Sequence, residues 1–196
     1  MFWNLLRRTQ AFHPGISRLP TRRAFSYVST HQTFPASLYR FQIHRDSRLF
    51  DRAFAQDDWE YEDGIAVSAD GLVHPNITID FSNGALFMPN THFMQEVTRG
   101  YLDYYLDNVK GGQDPAEPHY LCIPKGTNIP KSLTLFRERT SRFSLQPTHP
   151  MSLDSLNEYL TEFYLDSGRV LNPNDWLGRN PYHEASFDDQ EDWMNK

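Results

Sequence analysis

The chain holds 196 residues, and its 19 Lys and Arg against 25 Asp and Glu give a net charge of −6 at pH 7. That length suits one domain, and 39% apolar residues, with 14% aromatic, supply a core and exclude wholesale disorder. Net acidity argues against general nucleic-acid binding, no run reaches the roughly 18 apolar residues of a membrane span, and the single Cys122 excludes an internal disulfide or a Cys-rich zinc site.

The charge is divided unevenly along the chain. Arg7, Arg8, Arg18, Arg22 and Arg23 precede any acid, and the first carboxylate is Asp46. Phe2, Trp3, Leu5 and Leu6 beside Arg7 and Arg8 predict a short amphipathic helix before Pro14, the composition of a mitochondrial transit peptide. Arg23-Ala24-Phe25-Ser26 resembles a matrix-protease site, so residues 1–25 are expected to direct the chain to the mitochondrial matrix and then be removed. The remaining 171 residues would carry a charge of −11. Without such targeting the basic segment is a tail and the protein is cytoplasmic.

Next in order, Ser37 to Ile43 alternates and predicts a strand with Leu38, Arg40 and Gln42 on one face and Tyr39, Phe41 and Ile43 on the other. A helix is expected around Leu49–Phe54, a turn at Asp70-Gly71 and a strand over Ile77–Phe81. Asn83-Gly84 predicts a hairpin, since both residues tolerate positive φ. Phe93, Val97, Tyr101, Tyr104 and Tyr105 recur at helical spacing and predict a helix from about Thr91 to Val109, stopped by Gly111-Gly112. Strands follow at His119–Ile123, Leu133–Glu138 and Arg142–Gln146. A helix capped by Ser152 then carries a stripe of Leu153, Leu156, Leu160 and Phe163. Residues 36–166 thus read as one α+β unit. Residues 167–196 read as an acidic, largely irregular tail that Trp176 could anchor.

Familiar chemical motifs are absent: there is no Walker loop, G-x-G-x-x-G or G-x-S-x-G. The eight histidines lack metal-ligand spacing, so no metal is expected, and His183-Glu184 reads as solvated tail. Cys122, before Ile123-Pro124 in an apolar strand, reads as a buried structural thiol. Asn76-Ile77-Thr78 spells a glycosylation sequon, but the chain has no secretory signal. Arg40, inside an apolar strand, suits either a forked contact to phosphate or ribose in a cleft or an exposed place on an edge strand. Ser82, beside Asn83-Gly84, suits a ligand contact or a turn hydroxyl.

Four elements then occur in order: Leu38-Tyr39-Arg40; Asp70-Gly71-Leu72 with Pro75; Ile123-Pro124-x-Gly126-Thr127-x-Ile129-Pro130; and Arg142-Phe143-Ser144-Leu145-x-Pro147-x-x-Pro150-Met151. Together they resemble the bacterial type VI secretion exported effector two (Tse-two) toxin family, in particular its fungal-type members. The resemblance implies an ADP-ribosyltransferase-like fold, with a split mixed β core and flanking helices. It also implies NAD as substrate, cleavage of the nicotinamide–ribose bond, an unknown protein or small-molecule acceptor for ADP-ribose, and an immunity-type protein partner.

Arg40 corresponds to the first-strand Arg that contacts the dinucleotide in this fold. Thr78 and Ser82 lie where the bacterial toxin has a functional Thr-Ser pair; either fits, and Ser82 is preferred. Arg142 stands where the bacterial toxin has His, and Gln146 follows on the same strand, so both are assigned to dinucleotide binding. Most transferases of the fold hold the ribose with a Glu. No E-x-E or Q-x-E occurs near the expected strand, so Glu138 is the catalytic candidate, although its place before Thr140-Ser141 predicts a solvent-facing charge. The missing acid motif leaves a second reading: a non-catalytic mitochondrial interaction or nucleotide-binding module of the same fold. An RNA-end phosphotransferase would need more clustered cations than Arg137, Arg139 and Arg142.

Overall fold

The computed structural model describes residues 29–42, 44–54, 64–77, 83–115, 117, 119–138 and 141–179. The expected leader, residue 43, the strand beyond Ile77, Thr78, Ser82 and His183-Glu184 all lie outside these described residues.

Among the described residues there are nine strands: β1 (Ser29–His31), β2 (Leu38–Gln42), β3 (Phe50–Asp51), β4 (Gly64–Ile65), β5 (Ala85–Phe87), β6 (His119–Ile123), β7 (Leu133–Arg137), β8 (Phe143–Pro147) and β9 (Arg169–Leu171). Among the described residues the α-helices are α1 (His92–Lys110), α2 (Leu153–Ser167) and α3 (Pro173–Arg179). The larger sheet has the order β1-β7-β8-β5 and the smaller β2-β6-β9, with every pairing antiparallel. They meet where Tyr39 of β2 bridges Met88 just past β5, each amide bonding the other's carbonyl at 2.7 and 2.9 Å. This is the split α+β core that the family resemblance implied, with the parallel part of the mixed arrangement supplied by the short β3–β4 pair.

The alternation in β2 is realised. Leu38, Arg40 and Gln42 are buried on one face, while half-buried Tyr39 and Phe41 point the other way. Leu38 joins Leu121 and Ile123 of β6 in the main core, which α2 closes with Leu156, Leu160, Phe163 and Tyr164. The opposite face of the same sheet builds a second core from Tyr120, Met94 and Trp176, with Tyr39 and Phe41 packed against it. Because β6 is covered on both faces, its Tyr120 to Ile123 run is continuously buried, and apolar residues occupy both faces.

The four motifs mostly secure backbone junctions. Gly126, at φ +81°, lets the segment after β6 turn back. Its N–H then bonds Phe34 O at 2.8 Å while Phe34 N–H bonds Thr127 O at 3.0 Å. That fixes the approach to β2 and hence the position of Arg40. Asp70-Gly71 forms the expected turn, with Leu72 N–H on Asp70 Oδ1 at 3.0 Å. Val73, just after it, pairs with Met151 at the end of the fourth motif.

Several expectations are corrected. Residues 50–54 form a short strand and a 3-10 turn instead of an α-helix, because Asn157 of α2 takes Leu49 N–H and donates to Leu49 O, holding that stretch extended. Asn83-Gly84 is not a positive-φ turn: among the described residues only Gly71, Gly112 and Gly126 have positive φ. The Asn83 carboxamide is instead buried and bonds backbone, accepting from Ala66 N–H at 2.6 Å and donating to His74 O at 2.6 Å. Helix α1 has its expected extent, with Thr91 as N-cap and Gly111 as C-cap, but its inner face carries Met94, Gln95 and Thr98 while Phe93 and Tyr104 are exposed. The second core has room for a narrow stripe of α1 only. Residues 169–179, expected within an irregular tail, form β9 and α3; Trp176 is 2% exposed and stacks on Tyr120 at 4.8 Å.

Cys122 lies at the Tyr39 position of the β2–β6 register and is buried, as its sequence context suggested. Burial pushes its thiol pKa up, partly offset by a hydrogen bond with Tyr39. The thiolate is therefore suppressed. Thiol alkylation at pH 7.5 is expected to be slow in the native protein and complete in denaturant; fast labelling of the native chain would contradict this packing.

Candidate functional site

The site begins with Arg40. Its strand direction is set by Leu38 entering the main core, which forces the side chain two residues on to the same inward face. Arg40 is 4% exposed, so an exposed place is excluded even though β2 lies at the edge of its three-stranded sheet. The guanidinium donates from Nε to Gln42 Oε1 at 3.3 Å and from Nη1 to Leu86 O at 3.4 Å, across the seam between the sheets. A buried cation costs several kcal/mol unless hydrogen-bonded. Gln42, on the same face and tied by its own Nε2 to Arg45 O at 3.3 Å, supplies one of those bonds.

Beyond the seam, the larger sheet has unlike faces. Ala85, Phe87, Leu133, Leu135, Phe143 and Leu145 point into the main core. The alternate positions carry Leu86 opposite Ser144 and Thr134 opposite Gln146. Ser144 and Gln146 are fully buried, and Glu138, just past β7, is 7% exposed. The expectation of a solvent-facing Glu138 is therefore corrected. Glu138 N–H bonds Arg142 O at 2.9 Å, continuing the β7–β8 pairing, and Arg142 Nε stands 3.4 Å from Glu138 Oε2.

Gln146 occupies the middle of this group. Its two Nε2 hydrogens are shared among Ser144 Oγ at 2.7 Å, Asn76 O at 3.0 Å and Glu138 Oε1 at 3.4 Å, while its Oε1 accepts Asn76 N–H at 2.8 Å. Structure thus brings Glu138, Arg142 and Gln146 into one cluster, together with Ser144 and Asn76. Arg40 connects to it through β5, since the Leu86 whose carbonyl it holds stands opposite Ser144. Thr78 and Ser82 lie outside the described residues, although the residues flanking them, Asn76 and Asn83, are both held by buried carboxamide bonds.

Sequence reading missed Gln42, Ser144, Asn76 and Asn83. Gln42 and Ser144 were available from strand alternation, being two residues from Arg40 and Gln146 on the same faces. Asn83 carried a turn signal that concealed its role as a clamp.

Chemically, the site offers a buried guanidinium for forked bonds to an anion, an Arg142 about one-third exposed, and a carboxylate able to accept from a sugar hydroxyl. No group of three or more His, Cys, Asp or Glu among the described residues could hold a metal ion. No helix among them is long and apolar enough to cross a membrane.

A split core of two antiparallel sheets, with a buried arginine of β2 at the seam, is consistent with the ADP-ribosyltransferase-like α+β class. The model of the Tse2 ADP-ribosyltransferase toxin family matches residues 36–176, and the chain belongs to that family. No curated protein matches the sequence.

Proposed function

We propose that this toxin-family domain binds NAD at the seam, cleaves its nicotinamide–ribose bond and passes ADP-ribose to an intracellular protein or small molecule. The observation that carries this reading is Arg40, a guanidinium kept inside the core and held at the strand seam by Gln42 and Leu86 O. Burying a cation in a core is costly, and a dianionic diphosphate is a ligand that repays it.

NAD supplies a glycosidic C–N bond that breaks with its electron pair leaving on nicotinamide, so that positive charge develops at the ribose carbon. The residues of this chain act on that charge and on the groups around it. Arg40 binds the anionic part of the dinucleotide, and Arg142 adds a second cation at the rim. That matters in a body whose charge after loss of residues 1–25 is −11. Glu138 accepts from a ribose hydroxyl and stabilises the developing cation. Ser82, or Thr78, orients the ribose or the nicotinamide amide. The acceptor nucleophile then bonds to the ribose carbon and loses its proton to solvent.

Residues 1–25 act in this proposal as the mitochondrial address, residues 36–166 as the toxin domain and residues 167–196 as its C-terminal extension. An immunity-type protein is the expected partner. The test is incubation of the purified chain with NAD labelled in its adenylate phosphate, alone and with mitochondrial extract. Label on a discrete acceptor, lost in Glu138→Gln, is expected; free label unchanged from NAD in every mixture would overturn the proposal.

A further inference from the structure

We propose that Gln146 is a positioning residue for the reaction, setting the carboxylate of Glu138 through its own carboxamide; this rests on the NAD-cleaving reading above. The sequence resemblance assigned Gln146 to the dinucleotide, but its amide is turned inward. The side chain is fully buried, and both its ends are engaged: Oε1 with Asn76 N–H, and Nε2 with Asn76 O, Ser144 Oγ and Glu138 Oε1.

The pair of bonds to Asn76 copies a strand pairing, since a carboxamide presents one acceptor and one donor just as a peptide does. That doubly held amide cannot rotate without breaking both bonds. Its remaining N–H is therefore fixed toward Ser144 Oγ and Glu138 Oε1, which share it at 2.7 and 3.4 Å. The Glu138 carboxylate is consequently held at two points, Oε1 by Gln146 and Oε2 by Arg142 Nε at 3.4 Å. The two holds differ in kind. Arg142 is about one-third exposed and can turn toward an anionic ligand, whereas Gln146 stays in the sheet. When Arg142 is drawn to the dinucleotide, Gln146 still keeps the carboxylate from swinging away from the ribose.

A group that positions a catalytic carboxylate shows its effect only while that carboxylate is present, so a double-mutant cycle isolates it. Nicotinamide release is to be followed at varied NAD for wild type, Gln146→Met, Glu138→Gln and the double variant. Misplacing the carboxylate by about an ångström should lower kcat roughly 30-fold in Gln146→Met, with KM for NAD within about twofold, because substrate binding is left in place. In the Glu138→Gln background the same change should lower kcat by less than about twofold.

Gln146→Glu serves as the second variant. It keeps the acceptor for Asn76 N–H, so the backbone clamp survives on that side, but it loses both donors and should show the same loss of kcat. Equal losses in both backgrounds, or a rise in KM without a fall in kcat, would mean that Gln146 only supports the fold and would overturn this inference alone. Absence of nicotinamide release from wild type would overturn the NAD-cleaving reading and this inference with it.

Discussion

Arg40→Ala is expected to lower nicotinamide release from NAD by two to three orders of magnitude, the largest catalytic effect of any single change in this protein. A preorganised donor aimed at charge in a dry site is worth about 3–4 kcal/mol in the transition state, and Arg40 is a charged donor already held in place by Gln42 and Leu86 O. The alanine variant also leaves a void among main-core residues and frees Leu86 O of one partner, so a loss of stability of about 1–3 kcal/mol accompanies the loss of activity. Arg40→Lys separates the two effects. The ammonium keeps the charge but lacks the planar fork, so the fold should hold while most of the rate is lost. Steady-state rates for the three proteins, each with a thermal melt, check this; a lysine variant with wild-type rate would show that charge alone suffices.

Gly84→Ala is expected to be the most damaging conservative change to the fold. A Cβ at this position would stand 2.3 Å from Leu145 O and 2.8 Å from Gln146 Cγ, the first a backbone atom of β8 that cannot move without the sheet. The strand would have to withdraw from β8, disturbing the β5–β8 pairing that holds Leu86 opposite Ser144. Overpacking of this kind costs about 3 kcal/mol. For a domain of this size that lowers Tm by roughly 6–12 °C. Circular dichroism melts of wild type and variant test it, and a Tm within about 1 °C of wild type would contradict the close approach of the two strands. The glycine is thus required by proximity, not by the positive-φ turn that the Asn83-Gly84 pair suggests.

That reversal marks where the sequence was legible. Strand positions were readable where alternation or a continuous apolar run met Gly or Pro, as in β2 and β6. Helix α2 was readable because Ser152 caps a stripe whose Leu156, Leu160 and Phe163 are all buried. The α1 face was not, since aromatic residues at helical spacing do not say which of them a small second core can accept. Thr98 and Gln95 took those places, with Thr98 bonding Met94 O at 2.6 Å. Residues 50–54 lost their helix to Asn157, a partner more than 100 positions away whose effect no local window contains. In the site, Arg40 stood out as a charge in an apolar strand. Burial of Glu138 was not readable, because it comes from Gln146 of β8 and from Arg142 just before that strand, both packed against the carboxylate.

NAD cleavage at the seam around Arg40 is the central proposal for this protein. Nicotinamide release by the purified full-length chain, resolved by chromatography and set against Arg40→Ala at the same protein concentration, tests it most directly. The account predicts time-dependent nicotinamide from wild type and at least about a hundredfold less from the variant. No release from either protein, or equal release from both, would contradict it.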